Sequence, residues 1–509
     1  LSQSIPVTHP EDVIVPMGVV GIDDILRGGL PEDCVYVVTG QPGSGKTTLA
    51  IQFLLEGVRR GETSLYVTLS ESRREIEKVA RSHSWNLEGI EICELLPSES
   101  NVGVHSQLTV FNPSELELGE TTEAMIAAVN ALKPKRVVID SLSELRLVAQ
   151  NTLRFRRQIL ALKQFFGGRN CTVLLLDDES GAGQDAQLES IAHGVIKLEQ
   201  LVNQYGAERR RLRVAKLRGV PFRGGFHDFT IRRGGLDVFP RLVAAEHRGE
   251  YADEELSSGN AQLDALLGGG IPFGTSTLFL GPAGAGKSTV ATQFAVAAAV
   301  RGLRTAMYVF DENIGTFRAR SRKLGIPVEE HVAKGLISVQ QIDPAELSSG
   351  EFASLVRRAA EGTDGHEQAA KVVVVDSLNG YLNAMPEDKF LTAQLHELLA
   401  YLGQCGVVTL LTVTQSGMVG AVQSPVDTTY LADNVILFRY FEARGHVRRA
   451  ISVVKKRSGS HELTIRELLV REGGLAIGPP LEEFQGVLTG VPRFVGKAAH
   501  LETRGSDDS

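Results

Sequence analysis

Two short stretches carry the residue types that do chemistry on phosphates. The first is Gly40-Gln41-Pro42-Gly43-Ser44-Gly45-Lys46-Thr47-Thr48, and the second is Gly281-Pro282-Ala283-Gly284-Ala285-Gly286-Lys287-Ser288-Thr289. Both fit the glycine-rich, Lys-Ser/Thr pattern of a P-loop. Glycines let the backbone approach phosphate oxygens, and the amides of a following helix N-terminus face the same anion. The expected ATP-binding set is Gly43, Ser44, Gly45, Lys46, Thr47 and Thr48 in the first copy. In the second it is Gly284, Ala285, Gly286, Lys287, Ser288 and Thr289. Lys46 and Lys287 would reach the terminal phosphates, while the Thr47 and Ser288 hydroxyls would bind Mg²⁺. A glycine-rich turn with a chance lysine is the competing reading of one copy; two copies in matching contexts count against it.

Further carboxylates and cations recur in both halves. Asp140 and Asp376 end apolar runs, the place where a strand-end carboxylate holds Mg²⁺ beside a P-loop; a turn-forming Asp is the alternative in isolation. Ser70-Glu71 and Asp311-Glu312 end the run after each P-loop helix. Glu71, Asp311 and Glu312 could polarise the group that attacks a γ-phosphate, or could simply favour a helix N-terminus. Lys216-Leu217-Arg218 and Lys455-Lys456-Arg457 come late in each half. Two cations two residues apart on a strand share a face. Lys216, Arg218, Lys455 and Arg457 could therefore act in trans on a neighbour's nucleotide, or could be a solvated basic edge. Spacing does not separate these readings.

The elements that must position these residues alternate. Val35 to Thr39 and Thr277 to Leu280 read as strands entering the P-loops, and Leu49 to Val58 and Val290 to Val300 as the helices leaving them. Ser64 to Leu69, Lys135 to Asp140 and Thr172 to Leu176 read as further strands, matched by Thr305 to Phe310, Lys371 to Asp376 and Val407 to Thr412. Arg73 to Ser82 and Arg154 to Phe166 read as helices, matched by Ile314 to Leu324 and Phe390 to Leu402. Such alternation predicts an α/β fold with a mainly parallel sheet. The last third of each half, with Leu212 to Leu217 and Arg448 to Val454, has more β character and is expected to extend the sheet antiparallel.

The halves are copies. One constant offset, without gaps, carries Asp23 onto Asp264, Gly29 onto Gly270, Gln52-Phe53 onto Gln293-Phe294 and Glu71 onto Glu312. A slightly smaller offset then carries Val137-Val138-Ile139-Asp140-Ser141-Leu142 onto Val373-Val374-Val375-Asp376-Ser377-Leu378. This is a repeat at domain scale, too long for a solenoid. The expected plan is an N-terminal segment 1–14, a first domain 15–243, a linker 244–256, a second domain 257–492 and a flexible C-terminal tail 493–509.

Length and composition agree with this plan. A chain of 509 residues suits several domains, and 43% hydrophobic residues is ordinary for globular protein. A net charge of −8 argues against a general nucleic-acid coat. The four cysteines, Cys34, Cys93, Cys171 and Cys405, form no CxxC pair, and sparse cysteine fits a reducing, cytoplasmic compartment. The apolar runs are strand-sized, so no membrane span is expected, and no secretory signal is visible.

The chain resembles the KaiC family of two-domain RecA-like ATPases. Beyond the P-loops, the resemblance rests on Tyr66-Val67-Thr68-Leu69-Ser70-Glu71, Ala80-Arg81-Ser82-His83-Ser84-Trp85, Asp140-Ser141-Leu142, Lys216-Leu217-Arg218-Gly219, Asp376-Ser377-Leu378 and Ala432-Asp433-Asn434-Val435-Ile436-Leu437. It implies two tandem RecA-like P-loop NTPase domains, each a mainly parallel twisted sheet flanked by helices. It also implies a homohexamer with ATP at subunit interfaces, slow hydrolysis mostly in the first ring, and autokinase and autophosphatase chemistry in the second. KaiB-like or signalling proteins are the partners it suggests. The chain departs from the family in two places. A Glu-Glu pair is usual at both catalytic strand ends, where this chain has Ser70-Glu71 and Asp311-Glu312. Counting back from Asp433, the family's Ser-Thr acceptor pair falls on Thr429 and Tyr430; Thr429 is the first expected phosphoacceptor and Thr428 the second.

The function expected is a KaiC-like ATP-binding protein with Mg²⁺-dependent hydrolysis and Ser/Thr autophosphorylation, acting as a timing or signalling hub. The alternatives are a RecA-like or hexameric helicase-type DNA-dependent ATPase, and a nucleotide-gated scaffold. Against the DNA motor stand the acidic charge and the lack of an interleaved basic and aromatic run.

Overall fold

The computed structural model describes residues 13–95, 113–179, 185–202, 206–247, 249, 251, 254–383, 391–415, 430–443, 445–471, 474–487 and 493–495. The chain divides after Arg241 into two compact units. Both are α/β, each with a nine-stranded, mostly parallel sheet flanked by helices.

In the first unit the sheet strands, in chain order, are β1 (Val35–Gly40), β2 (Ser64–Thr68), β3 (Ile90–Glu94), β4 (Arg136–Asp140), β5 (Thr172–Asp178), β6 (Gly194–Leu201), β7 (Arg209–Leu217), β8 (His227–Arg232) and β9 (Gly235–Phe239). In the second they are β10 (Ser276–Gly281), β11 (Arg304–Val309), β12 (Ile337–Gln341), β13 (Ala370–Asp376), β14 (Val408–Thr414), β15 (Asn434–Ala443), β16 (His446–Lys456), β17 (Arg466–Arg471) and β18 (Gly474–Pro480). The spatial orders are β3-β2-β4-β5-β1-β6-β7-β8-β9 and β12-β11-β13-β14-β10-β15-β16-β17-β18, the same order twice. β3 through β6 pair in parallel, and β7 to β9 extend the sheet antiparallel, as the β-rich last third predicts.

The central strands are buried on both faces. Along β1, Tyr36 and Val38 point into one core while Val35 and Val37 point into the other. That alternation, with apolar residues at every position, is what a parallel strand covered by helices on both sides requires. β10 repeats it, with Leu278 and Leu280 on one side and Phe279 on the other.

The P-loop helices run Lys46–Arg59 and Lys287–Val300. Each starts at a glycine in the left-handed region, Gly45 at φ 101° and Gly286 at φ 106°. A side chain there would be strained, and a Cβ on Gly45 would sit 2.8 Å from Ile231 Cδ1. The helix after β2, Arg73–Ser82, begins with a capping box between Ser72 and Glu75 and buries Ile76 and Ala80. Its counterpart, Ile314–Lys323, is capped by Asn313, which accepts from Thr316 N at 2.8 Å.

The described residues of the charged stretch 244–256 fall in the second unit. Leu242 and Ala244 are buried with Leu398, Tyr401 and Leu402, and the His247 ring lies edge-on to Tyr401 at 4.8 Å. Leu242 and Ala244 anchor this end among its charges. Glu255–Leu256 then pairs with Ile271–Pro272. Among the described residues, no helix is long and apolar enough to cross a membrane.

Candidate nucleotide sites

Ligands of open parallel sheets lie beyond the carboxyl ends of the strands. In the first unit that edge gathers the ends of β1, β2, β4 and β5. β1 delivers the P-loop, β4 delivers Asp140, and the chain leaves β2 through Leu69 to Glu71. Leu69 N donates to Asp140 O at 2.7 Å, holding the β2 and β4 ends in register, and Phe310 N to Asp376 O does the same in the second unit at 2.7 Å.

Lys46 is buried, and its ammonium donates to Gly40 O at 2.8 Å and Gln41 O at 3.0 Å. Thr47 Oγ1 donates to Asp140 Oδ2 at 3.0 Å, and Tyr66 OH donates to the same oxygen. Burial pushes the Asp140 carboxyl above its usual range, against the two hydroxyls and Lys46, which favour its charge. Glu71 is half-buried, and its Oε2 has no partner among the described residues. Burial, then Asp140 and Glu75, raise its pKa. Ser70 is exposed.

The second unit has an open cleft of about 720 Å³ lined by Lys287, Ser288, Asp311, Glu312, Asp376 and Ser377, among others. Lys287 donates to Gly281 O at 2.9 Å and Pro282 O at 2.7 Å, and burial pushes its pKa down to about 8. Asp376 accepts from Thr412 Oγ1 at 2.5 Å. Asp311 accepts a short hydrogen bond from Ser377 Oγ. Glu312 pairs with Arg320 at 2.9 Å; burial raises its pKa while Arg320 opposes the rise.

The residues fit a Mg²⁺-nucleotide. The side chain of Ser44 is fully buried with an unpartnered Oγ inside the loop. Each unit sets a P-loop hydroxyl and a strand-end carboxylate at one place, Thr47 with Asp140 and Ser288 with Asp376. Among the described residues no cluster of three metal-ligating side chains exists. Mg²⁺ keeps waters and phosphate oxygens in its shell, so one carboxylate and one hydroxyl are enough to place it.

The basic pairs lie elsewhere. Leu217 pairs with Gly194, and Gly194 with Tyr36, whereas the P-loop leaves β1 at Gly40, about 13 Å further along. Lys455 pairs with Val435, and Val435 with Leu278, at the same end of the second sheet. Each pair is therefore at the far end of the sheet from its own P-loop. Lys216 donates to Glu189 O at 2.6 Å and Ala192 O at 2.8 Å, and Arg218 to Ser190 O at 3.2 Å. Lys455 donates to Ala432 O at 2.7 Å, and Arg457 pairs with Asp433 at 2.9 Å. Thr428 and Thr429 lie outside the described residues, and Tyr430 is exposed.

Three site residues escaped the sequence reading. Asp178 forms an ion pair with Lys46 at 2.8 Å. Ser143 donates to Asp178 Oδ2 at 3.0 Å. Arg320 holds Glu312. The acidic end of the run Leu174-Leu175-Leu176-Asp177-Asp178-Glu179 was a visible signal for the first; the other two needed the fold.

Two P-loop domains of one strand order, each with a strand-end Asp against the P-loop Ser or Thr, define a duplicated RecA-like ATPase. The family model for the KaiC ATPase matches residues 15–243 and 256–482, and the chain belongs to that family. It is 27% identical over 482 residues to the circadian clock oscillator protein KaiC of Picosynechococcus sp., covering 93% of this chain and 91% of the relative. It is 27% identical to the protein of that name from Thermostichus vulcanus, over 94% and 91% of the two chains. It is 24% identical to the circadian clock protein KaiC3 of Synechocystis sp., over 94% and 95%.

Proposed function

We propose that both P-loops bind ATP and that the chain hydrolyses it slowly. The observation that carries this is the first-unit constellation: a buried P-loop lysine, Thr47 against Asp140, and an unpartnered, raised-pKa Glu71 on the neighbouring strand end. Glu71 accepts the proton of the attacking water, and its raised pKa makes it a stronger base than an exposed glutamate. Lys46 and the loop amides hold the phosphates in line for attack. Mg²⁺ on Thr47 and Asp140, or on Ser288 and Asp376, would neutralise charge building on the phosphate oxygens.

The far-end position of Lys216, Arg218, Lys455 and Arg457 supports a ring of copies, a homohexamer, in which they act on the next subunit's nucleotide. In the second unit Asp311 and Glu312 stand ready to activate a hydroxyl. Autophosphorylation at Thr429, or Thr428 beside it, extends the family resemblance, and with it a cytoplasmic timing or signalling role with KaiB-like or other protein partners.

The test is phosphate release with Mg·ATP, with and without single-stranded DNA, followed by phosphopeptide mapping. Slow, DNA-independent turnover is expected, with phosphate on Thr429. DNA stimulation would replace the reading with a DNA motor. No turnover would leave a scaffold. Turnover without phosphate between Ser424 and Tyr430 would leave an ATPase and remove the kinase.

A further inference from the structure

An ammonium has three N–H donors. In the first unit all three have acceptors: Gly40 O, Gln41 O and Asp178 Oδ1, the last at 2.8 Å. In the second unit Lys287 has two acceptors among the described residues, Gly281 O and Pro282 O, which leaves one donor for the cleft. The difference is one residue at the end of one strand. Asp178 ends β5, and Thr414 holds the same place at the end of β14.

Asp178 is aimed rather than loose. Its second oxygen accepts from Ser143 Oγ at 3.0 Å, and its own N–H donates back to Ser143 Oγ at 3.2 Å. Ser143 sits on the helix that follows Asp140. The second unit makes the same helix-to-strand clamp without a charge, through Asn379 and the Thr414 backbone at 2.9 and 2.6 Å. The first unit therefore presents a carboxylate to the lysine donor that a terminal phosphate oxygen takes in a P-loop.

We propose that Asp178 sets the nucleotide preference of the first unit, its carboxylate holding the place of a terminal phosphate so that the site favours a nucleoside diphosphate over a triphosphate. This rests on the reading that the first P-loop binds nucleotide. A diphosphate has no γ-phosphate to bring to the donor that Asp178 holds, so it leaves the Lys46–Asp178 pair in place. A triphosphate must break the pair and bring its γ-phosphate against a like charge. Asp178 is about two-fifths exposed, which screens part of that repulsion.

The test uses the full chain with Lys287→Ala, so that only the first site is read. Calorimetric titration with Mg·ADP and with a non-hydrolysable Mg·ATP analogue gives two affinities. Asp178→Thr should tighten the analogue about ten-fold and ADP less than about three-fold. Asp178→Asn keeps the shape and the Ser143 contact but removes the charge, and should shift the ratio the same way. Ser143→Ala keeps the charge but loosens its aim, and should shift the ratio less. An unchanged ratio in both Asp178 variants, with binding retained, overturns the proposal and leaves the nucleotide site standing. No binding of either nucleotide in any of these chains overturns the nucleotide reading of this site, and the proposal with it.

Discussion

At the end of the strand between the P-loop strand and the Asp strand, the first unit carries Asp177, Asp178 and Glu179, where the second carries Val413, Thr414 and Gln415. The surroundings changed in step. Asp177 is fully buried and pairs with Arg146 at 2.5 Å, with the Arg146 guanidinium also 5.1 Å from the Phe155 ring. At the positions of Arg146 and Asp177 the second unit has Leu382 and Val413, packed in an apolar cluster. A buried ion pair can be exchanged for a well-packed apolar pair at little net cost, whereas losing one partner strands a charge. The candidate acids differ in the same way. Glu71 has an unpartnered oxygen, and Val79 occupies the helix position from which Arg320 grips Glu312. Duplication kept the backbone, the P-loop and the strand-end Asp, and it altered the charge around them. Two units of one strand order thus differ in the charges around the P-loop.

The largest effect should come from the P-loop lysines. Lys46→Ala and Lys287→Ala should each lower calorimetric stoichiometry from about two nucleotides per chain to about one. Unchanged stoichiometry in both would end the comparison at its root.

Glu71→Gln should cut steady-state phosphate release at least about 10-fold, while Glu312→Gln should change it less than about 2-fold. In the Glu71→Gln background, Arg320→Val places the first unit's residue beside Glu312. It should raise the residual rate about 2- to 5-fold by freeing the acid and lifting its pKa further. Equal losses in the two Gln variants would show that the paired and unpaired acids are equivalent.

Asp177→Asn should cost about 2–4 kcal/mol in urea unfolding of the first unit, because it breaks the ion pair of Arg146 with a fully buried carboxylate. The double change Arg146→Leu with Asp177→Val, copying Leu382 and Val413, should recover most of that loss. Additive losses would show that the apolar pair depends on the rest of its own unit.

The pH effects should be opposite in sign in the two units. Glu71 acts as a base only when ionised, and its pKa is raised, so first-unit hydrolysis should fall on acidification at a pH above the ordinary glutamate range. Lys287 would bind phosphate as an ammonium. Its pKa lies at about 8, so ATP affinity in the Lys46→Ala chain should weaken as pH rises through about 8, approaching 10-fold per unit. A flat affinity between pH 7 and 9.5 would contradict this.

Much of this was legible in the residues alone. A P-loop is a local motif: glycine spacing, a lysine and a hydroxyl suffice to mark it, and continuous apolar runs such as Val137-Val138-Ile139 mark buried parallel strands. The repeat offset needed no structure. The sequence by itself thus determined the α/β class, the duplication, the phosphate loops and the strand-end acids. Tertiary structure alone decided which charges meet. Lys46 and Asp178 are far apart in the chain, and only the parallel pairing of β1 with β5 brings Gly40 beside Asp178. Arg320 reaches Glu312 because a helix turns back one face after its Asn313 cap. The far-end placement of Lys216 and Lys455 follows from antiparallel return strands, whose direction no local pattern records. Electrostatic pairing depends on distances of a few ångströms across the fold, and composition along the chain is blind to them.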